Sequence, residues 1–126
     1  EEALKVVSLD QDTGRKVMGL SGGMQRRLNI ACGIVHHPKL IIMDEPFVGL
    51  DPKAAHLLKE MMHQVCDGGS AIFFSTHVLE VAEKLCDRIA IIHHGRQVYL
   101  GTLEELKAAY PDQTLENIFL EITEHA

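Results

Sequence analysis

Two adjacent carboxylates, Asp44 and Glu45, close a short apolar run, Leu40-Ile41-Ile42-Met43, and stand immediately before Pro46. Such a run is expected to be a strand covered on both faces of a parallel sheet, and ligands of open α/β sheets bind beyond the carboxyl ends of such strands. There Asp44 can hold Mg²⁺, directly or through water, and Glu45 can polarise an attacking water as general base; a plain acidic turn before a proline is the other reading. Ser21-Gly22-Gly23 opens a helical pattern, where exposed N–H groups at the positive end of the helix dipole make an anion site, or where Ser21 is simply an N-cap. Arg26 and Arg27 follow closely. Cations there oppose the dipole by roughly 0.3–1 kcal/mol each, which a docked polyanion would explain, although a solvated arginine pair fits the residues too. His77 leaves the later apolar run Ala71-Ile72-Phe73-Phe74-Ser75 at the same sheet edge. An imidazole there can contact a terminal phosphate or orient water, or be an ordinary turn residue. Asp51, ahead of Pro52, is fully explained as a helix cap. Nowhere does the sequence contain G-x-x-x-x-G-K-[ST], the loop whose backbone N–H groups cradle phosphates.

The elements that must position these residues alternate between helix and strand. Residues 1–9 look like the tail of a helix, and 10–19 form a polar loop with Asp10, Asp12, Thr13 and Gly14. A helix is expected from Gly22 to His36, with Met24, Leu28, Ala31, Cys32 and Val35 on its apolar face and Pro38 beyond its end. After the Leu40–Asp44 strand, a helix runs from Pro52 to about Cys66 and stops at Gly68-Gly69. The Ala71–Ser75 strand, a short helix from Val78 to Cys86 and a strand from Arg88 to His93 come next. His94-Gly95-Arg96 then turns the chain into a hairpin strand, Gln97 to Leu100. Thr102 and Glu105 form a capping box for a helix from Leu103 to about Ala109, and a last amphipathic helix covers Leu115 to Ile122. This order argues for an α/β fold with parallel core strands.

Composition narrows the function classes. Acidic residues (18) exceed Lys plus Arg (12), the net charge is −6, and 5% of residues are aromatic. That is neither a phosphate-tracking basic face nor a base-stacking platform, so nucleic acid is not an expected partner. No apolar stretch approaches the ~20 residues needed to cross a bilayer, and the N-terminus lacks a signal-peptide pattern, so a cytosolic location is expected. Three cysteines, Cys32, Cys66 and Cys86, without C-x-x-C spacing, read as buried thiols rather than a disulfide or zinc framework. Among eight histidines, the adjacent pairs His36-His37 and His93-His94 do not share a strand or helix face. His56 and His63 lie about 10 Å apart along a helix, too far to share one ion.

Together these pieces resemble the ATP-binding cassette (ABC) family, the ATPase subunits of membrane transporters. Leu20-Ser21-Gly22-Gly23-Met24 is similar to the family signature, Leu40-Ile41-Ile42-Met43-Asp44-Glu45-Pro46 to the Walker B strand with its adjoining glutamate, Gly49-Leu50-Asp51 to the D-loop, and Ser75-Thr76-His77 to the switch histidine. Phe47 departs from the threonine often found there, and the tail segments resemble exporter-type ATPases.

The resemblance implies head-to-tail pairing with a second ATP-binding subunit. Ser21, Gly22, Gly23 and Gln25 would contact ATP held by the partner, while Asp44 on Mg²⁺, with Glu45 and His77 as catalytic residues, would serve the nucleotide bound in cis. Asp51 would join the two sites. It also implies a transmembrane permease partner, hence a peripheral position at the inner face of the cell membrane. The division implied is the end of the helical subdomain in 1–37, part of the P-loop NTPase α/β core in 38–101 and C-terminal helices in 102–126. The Walker A half would lie upstream, so these residues read as the C-terminal part of a transport ATPase. The alternative is a non-catalytic interaction or regulatory module lending only its signature to a partner. The family's Walker A strand would lie between Ala71–Ser75 and Arg88–His93. Its absence predicts that Leu40–Asp44 pairs with Ala71–Ser75, that no ladder joins Ala71–Ser75 to Arg88–His93, and that Ile72, Phe74, Ile89 and Ile91 are exposed.

Overall fold

In a computed structural model, the structure describes residues 2–7, 9, 11, 13, 14 and 16–126. Asp10 and Asp12 of the expected polar loop lie outside the described residues. The chain divides into two compact units, Glu1–Ser75 and Thr76–Ala126.

The first unit contains α1 (Glu2–Val6), a 3-10 turn at Val17–Gly19, α2 (Gly22–Ile34), β1 (Leu40–Asp44), α3 (Pro52–Asp67) and β2 (Ala71–Ser75). Strands β1 and β2 pair in parallel, with Leu40 opposite Ala71 and Asp44 opposite Ser75. At the amino end the pair is braced by the Ser70 hydroxyl donating to the Pro38 carbonyl at 2.7 Å and by the Ala71 N–H donating to the Lys39 carbonyl at 2.8 Å. Helix α3 starts where the sequence places it, because Asp51 Oδ1 accepts the Ala54 N–H at 2.7 Å and Pro52 lacks a donor to leave unpaired. It buries Leu58, Met61 and Met62, and Val7, Leu9, Ala31, Ile34 and Phe47 are also buried in this unit.

The second unit contains α4 (Leu79–Leu85), β3 (Arg88–His93), β4 (Arg96–Thr102), α5 (Leu103–Ala109) and α6 (Leu115–Glu124). Strands β3 and β4 form an antiparallel hairpin across His94-Gly95, whose φ values of 48° and 72° suit a two-residue turn of the primed type. A bulge follows, since Ile91 faces Tyr99 while Ile92 faces Gln97. Thr102 and Glu105 form the expected capping box, and Thr114 caps α6. The core is Ala82, Ile91, Leu106, Leu115 and Ile118. Ile118 has no exposed surface, so Ile118→Ala is expected to cost about 2–5 kcal/mol in unfolding free energy measured by urea titration. A loss under 1 kcal/mol would mean that this core is not cooperative with the rest of the fold.

Among the described residues the strands form two two-stranded sheets, β1 with β2 in the first unit and β3 with β4 in the second. The expected exposure was assigned to the wrong side chains. Ile72, Phe74 and Ile89 are half-buried and Ile91 is 6% exposed, whereas Ile42 is 71% and Phe73 64% exposed. An unpaired strand edge bares backbone groups, while side chains alternate above and below the sheet, so exposure follows the face and not the edge. For the same reason β1 is not covered on both sides: Leu40, Ile42 and Asp44 face out and Ile41 and Met43 face in.

Other readings need correction too. Cys32 and Cys66 are exposed and Cys86 is half-buried, so the thiols are not a buried set. Burial, with a smaller contribution from Asp87, raises the Cys86 thiol pKa. In α2 Ala31 is buried as expected, together with Ile34, while Cys32 and Val35 face solvent, so the buried face is turned toward Ile34. The His93 and His94 rings meet edge to face with centroids 4.0 Å apart. The turn at His94 breaks the strand alternation that would have separated them.

Candidate functional site

The carboxyl end of β1 is built by its pairing with β2. Asp44 and Ser75 are register partners, and the Ser75 hydroxyl donates to Asp44 Oδ1, which orients the carboxylate. The Glu45 N–H donates to Ser75, to Oγ at 2.9 Å and to the carbonyl at 3.1 Å. Glu45 itself has φ 46°, in the left-handed region. For a residue with a Cβ this costs roughly 1–2 kcal/mol, and the surrounding hydrogen bonds over-determine it.

The turn after Glu45 is held by a residue from another element. Arg26 Nη1 donates to the carbonyls of Pro46 at 2.5 Å and Val48 at 2.7 Å, with the Glu45 carbonyl at 3.5 Å. Within the turn the Val48 N–H reaches the Glu45 carbonyl at 3.3 Å. Phe47 is buried, with its ring edge-on to Phe74 at a centroid separation of 6.0 Å. The residue that departs from the family's usual threonine is thus an apolar anchor for the turn. Arg26 thus commits one nitrogen, Nη1, to these carbonyls within the unit, a contact that the sequence did not suggest.

At the start of α2, Ser21 is an N-cap whose Oγ accepts the Met24 N–H at 3.1 Å, and Gln25 Nε2 donates to the Leu20 carbonyl at 3.1 Å. A Cβ added at Gly22 would meet nothing within 4 Å, whereas one at Gly23 would lie 3.3 Å from Ala54 Cβ and 3.8 Å from Leu50 Cδ2. Gly23 is therefore a close-approach position between α2 and the first turn of α3, next to the residue that Asp51 caps. The structure thus brings Gly23 beside the Leu50–Ala54 stretch in the first unit. His77 belongs to the second unit and is exposed, preceded by Thr76, whose Oγ1 accepts the Val78 N–H at 3.0 Å.

Asp44 is exposed, with one carboxylate oxygen already oriented by Ser75, a donor suited to a hard divalent cation. Reasoning from sequence missed Ser75 and Arg26. Ser75 was accessible in principle, since two parallel strands of equal length ending in Asp and Ser place those side chains together. Arg26 carried no such signal, as its partners are backbone carbonyls twenty or so residues away.

The Asp44–Glu45 pair at the end of a parallel strand, in the same unit as a serine-capped helix start, stands where open α/β sheets bind ligands. Comparison with solved structures agrees: the fold matches the "Structure of ATP binding subunit of ABC transporter" with a TM-score of 0.82 and 35% identity, covering 97% of this chain and 52% of that one. It also matches a nucleotide-free ATP-binding cassette from an ABC transporter with a TM-score of 0.79 and 25% identity, covering 94% and 47%. Residues 1–48 match the family model for ABC transporter. The chain is 44% identical to Nod factor export ATP-binding protein I of Sinorhizobium fredii over 98 residues, 78% of this chain and 29% of that protein. It is 40% identical to linearmycin resistance ATP-binding protein LnrL of Bacillus subtilis over 105 residues, 83% and 34%. The chain belongs to the ABC ATP-binding proteins and spans about a third of the length of these curated relatives. Among the described residues no helix is long and apolar enough to cross a membrane.

Proposed function

We propose that these residues form the signature-to-tail portion of an ABC transporter ATP-binding subunit, which couples MgATP binding, head-to-tail dimerisation and hydrolysis to transport. The observation that supports this best is the Asp44–Glu45 pair, with Asp44 oriented by Ser75 and Glu45 held in a left-handed turn at the strand end. Glu45 takes the proton of the attacking water, and Asp44 would hold Mg²⁺. The cation, when bound, neutralises charge on the transferring phosphoryl group. His77 contacts the terminal phosphate or orients the water. Ser21, Gly22, Gly23 and Gln25 face the nucleotide of a second ATP-binding subunit, and Asp51 links the two sites. Hydrolysis then reports on dimer closure, because positioning supplies most of its catalysis and the parts are divided between subunits. A permease subunit holds the pair at the cytoplasmic face of the membrane, and the names of the two relatives, which speak of export and of resistance, support outward transport.

The phosphate loop has to come from outside these 126 residues, among which no such motif occurs. Calorimetry of the 126-residue chain with MgATP is therefore expected to show no micromolar binding, while a subunit that also carries the loop binds and hydrolyses ATP. Micromolar binding by these residues alone, with turnover abolished by Glu45→Gln, would refute the division of labour.

A further inference from the structure

We infer that Arg26 is a positioning residue for Glu45, holding from α2 the turn that presents the base; this rests on the reading of Glu45 as the general base. Glu45 is gripped on both sides of its left-handed backbone. On the amino side its N–H is fixed to Ser75 of β2 at 2.9 and 3.1 Å. On the carboxyl side, the chain is drawn to one nitrogen, Arg26 Nη1, by the Pro46 and Val48 carbonyls at 2.5 and 2.7 Å, with that of Glu45 further off at 3.5 Å. Charge-assisted donation to backbone carbonyls is strong and directional. The carbonyls converge on a cation from a different element, so the direction of the Glu45 side chain depends on where α2 lies. Arg26 stands in the helix that Ser21 caps and that Gly22 and Gly23 open. A shift of that helix on closure over a partner's nucleotide would thereby move the base.

The test uses the complete ATP-binding subunit assembled with its permease. Arg26→Ala is expected to lower kcat by roughly 10–10²-fold, the scale set by misplacing a reacting group by about 1 Å, with KM for ATP changed less than about threefold. Arg26→Lys should recover most of the loss, because a single ammonium has donors for several converging carbonyls. In a Glu45→Gln background, Arg26→Ala should cause no further loss, since a residue acting through the base has nothing left to position. Wild-type kcat in Arg26→Ala, a change confined to KM, or losses that multiply with Glu45→Gln would overturn the inference. Should Arg26→Ala fail to fold, Arg26→Gln is read in the same way, and loss of ATP binding in both would make Arg26 a structural staple and the inference wrong. If Glu45→Gln alone left turnover intact, the assignment of the base would be at fault instead.

Discussion

Glu45→Gln is expected to slow ATP turnover by the complete subunit roughly 10²–10⁴-fold, the usual worth of a general base, while leaving nucleotide binding in place. The substitution changes one atom of the side chain and none of the backbone contacts. The Glu45 N–H bonds to Ser75 and the carbonyl contacts of the turn do not involve the carboxylate. Glutamine tolerates φ 46° no worse than glutamate, so the turn persists. Asp44 and its Ser75 partner are also untouched. What disappears is an acceptor for the proton of water, so ATP should be bound and not cleaved, and a closed dimer should accumulate. Single-turnover rates with ATP, read beside size-exclusion profiles, check both halves. A turnover rate within threefold of wild type would remove Glu45 from the role proposed for it.

How far the site was legible in the sequence depends on the range over which its contacts act. Caps are local, so Ser21, Asp51 and Thr102 all accept the N–H three residues on, and the helix starts follow from them. The hairpin turn and the parallel pairing of the two apolar runs were also legible, because each depends on short patterns and chain order. Burial was not. Ile42 and Phe73 are as apolar as Ile41 and Phe74, yet they face out, and only the sheet's actual surroundings distinguish the two faces. The cysteines were misjudged for the same reason. Arg26 is the sharpest case: its charge near a helix start suggested an anion, but a cation can equally be satisfied by carbonyls brought up by the fold. Phe47 shows the converse, a departure from the family pattern that becomes intelligible once Phe74 is seen beside it.

The trans role proposed for the signature is best tested at Gly22 rather than Gly23, and the reason is steric. An aspartate at Gly23 would bring its Cβ to 3.3 Å from that of Ala54, so a defect there would mix lost packing between α2 and α3 with any effect on nucleotide. At Gly22 the Cβ meets nothing within 4 Å, and a carboxylate in the first turn favours the helix dipole by roughly 0.3–1 kcal/mol. Gly22→Asp should therefore leave the subunit as stable as wild type. If the signature faces a γ-phosphate of the partner's ATP, the new charge about 4 Å away opposes closure by about 1 kcal/mol in a water-like setting and about 4 kcal/mol at an effective dielectric of 20, a roughly 5- to 10³-fold weakening of ATP-driven dimerisation. Binding of nucleotide in cis should be nearly unchanged. Analytical ultracentrifugation of the Glu45→Gln subunit, with and without Gly22→Asp and with MgATP present, reads the difference directly, because hydrolysis no longer dissolves the dimer. Added salt should restore part of the association if the repulsion is exposed and little of it if the closed site excludes water. Dimerisation by Gly22→Asp indistinguishable from the parent, together with a loss in Gly23→Asp, would place the importance of these glycines in the packing of α2 on α3 and end the case for their contact with a nucleotide.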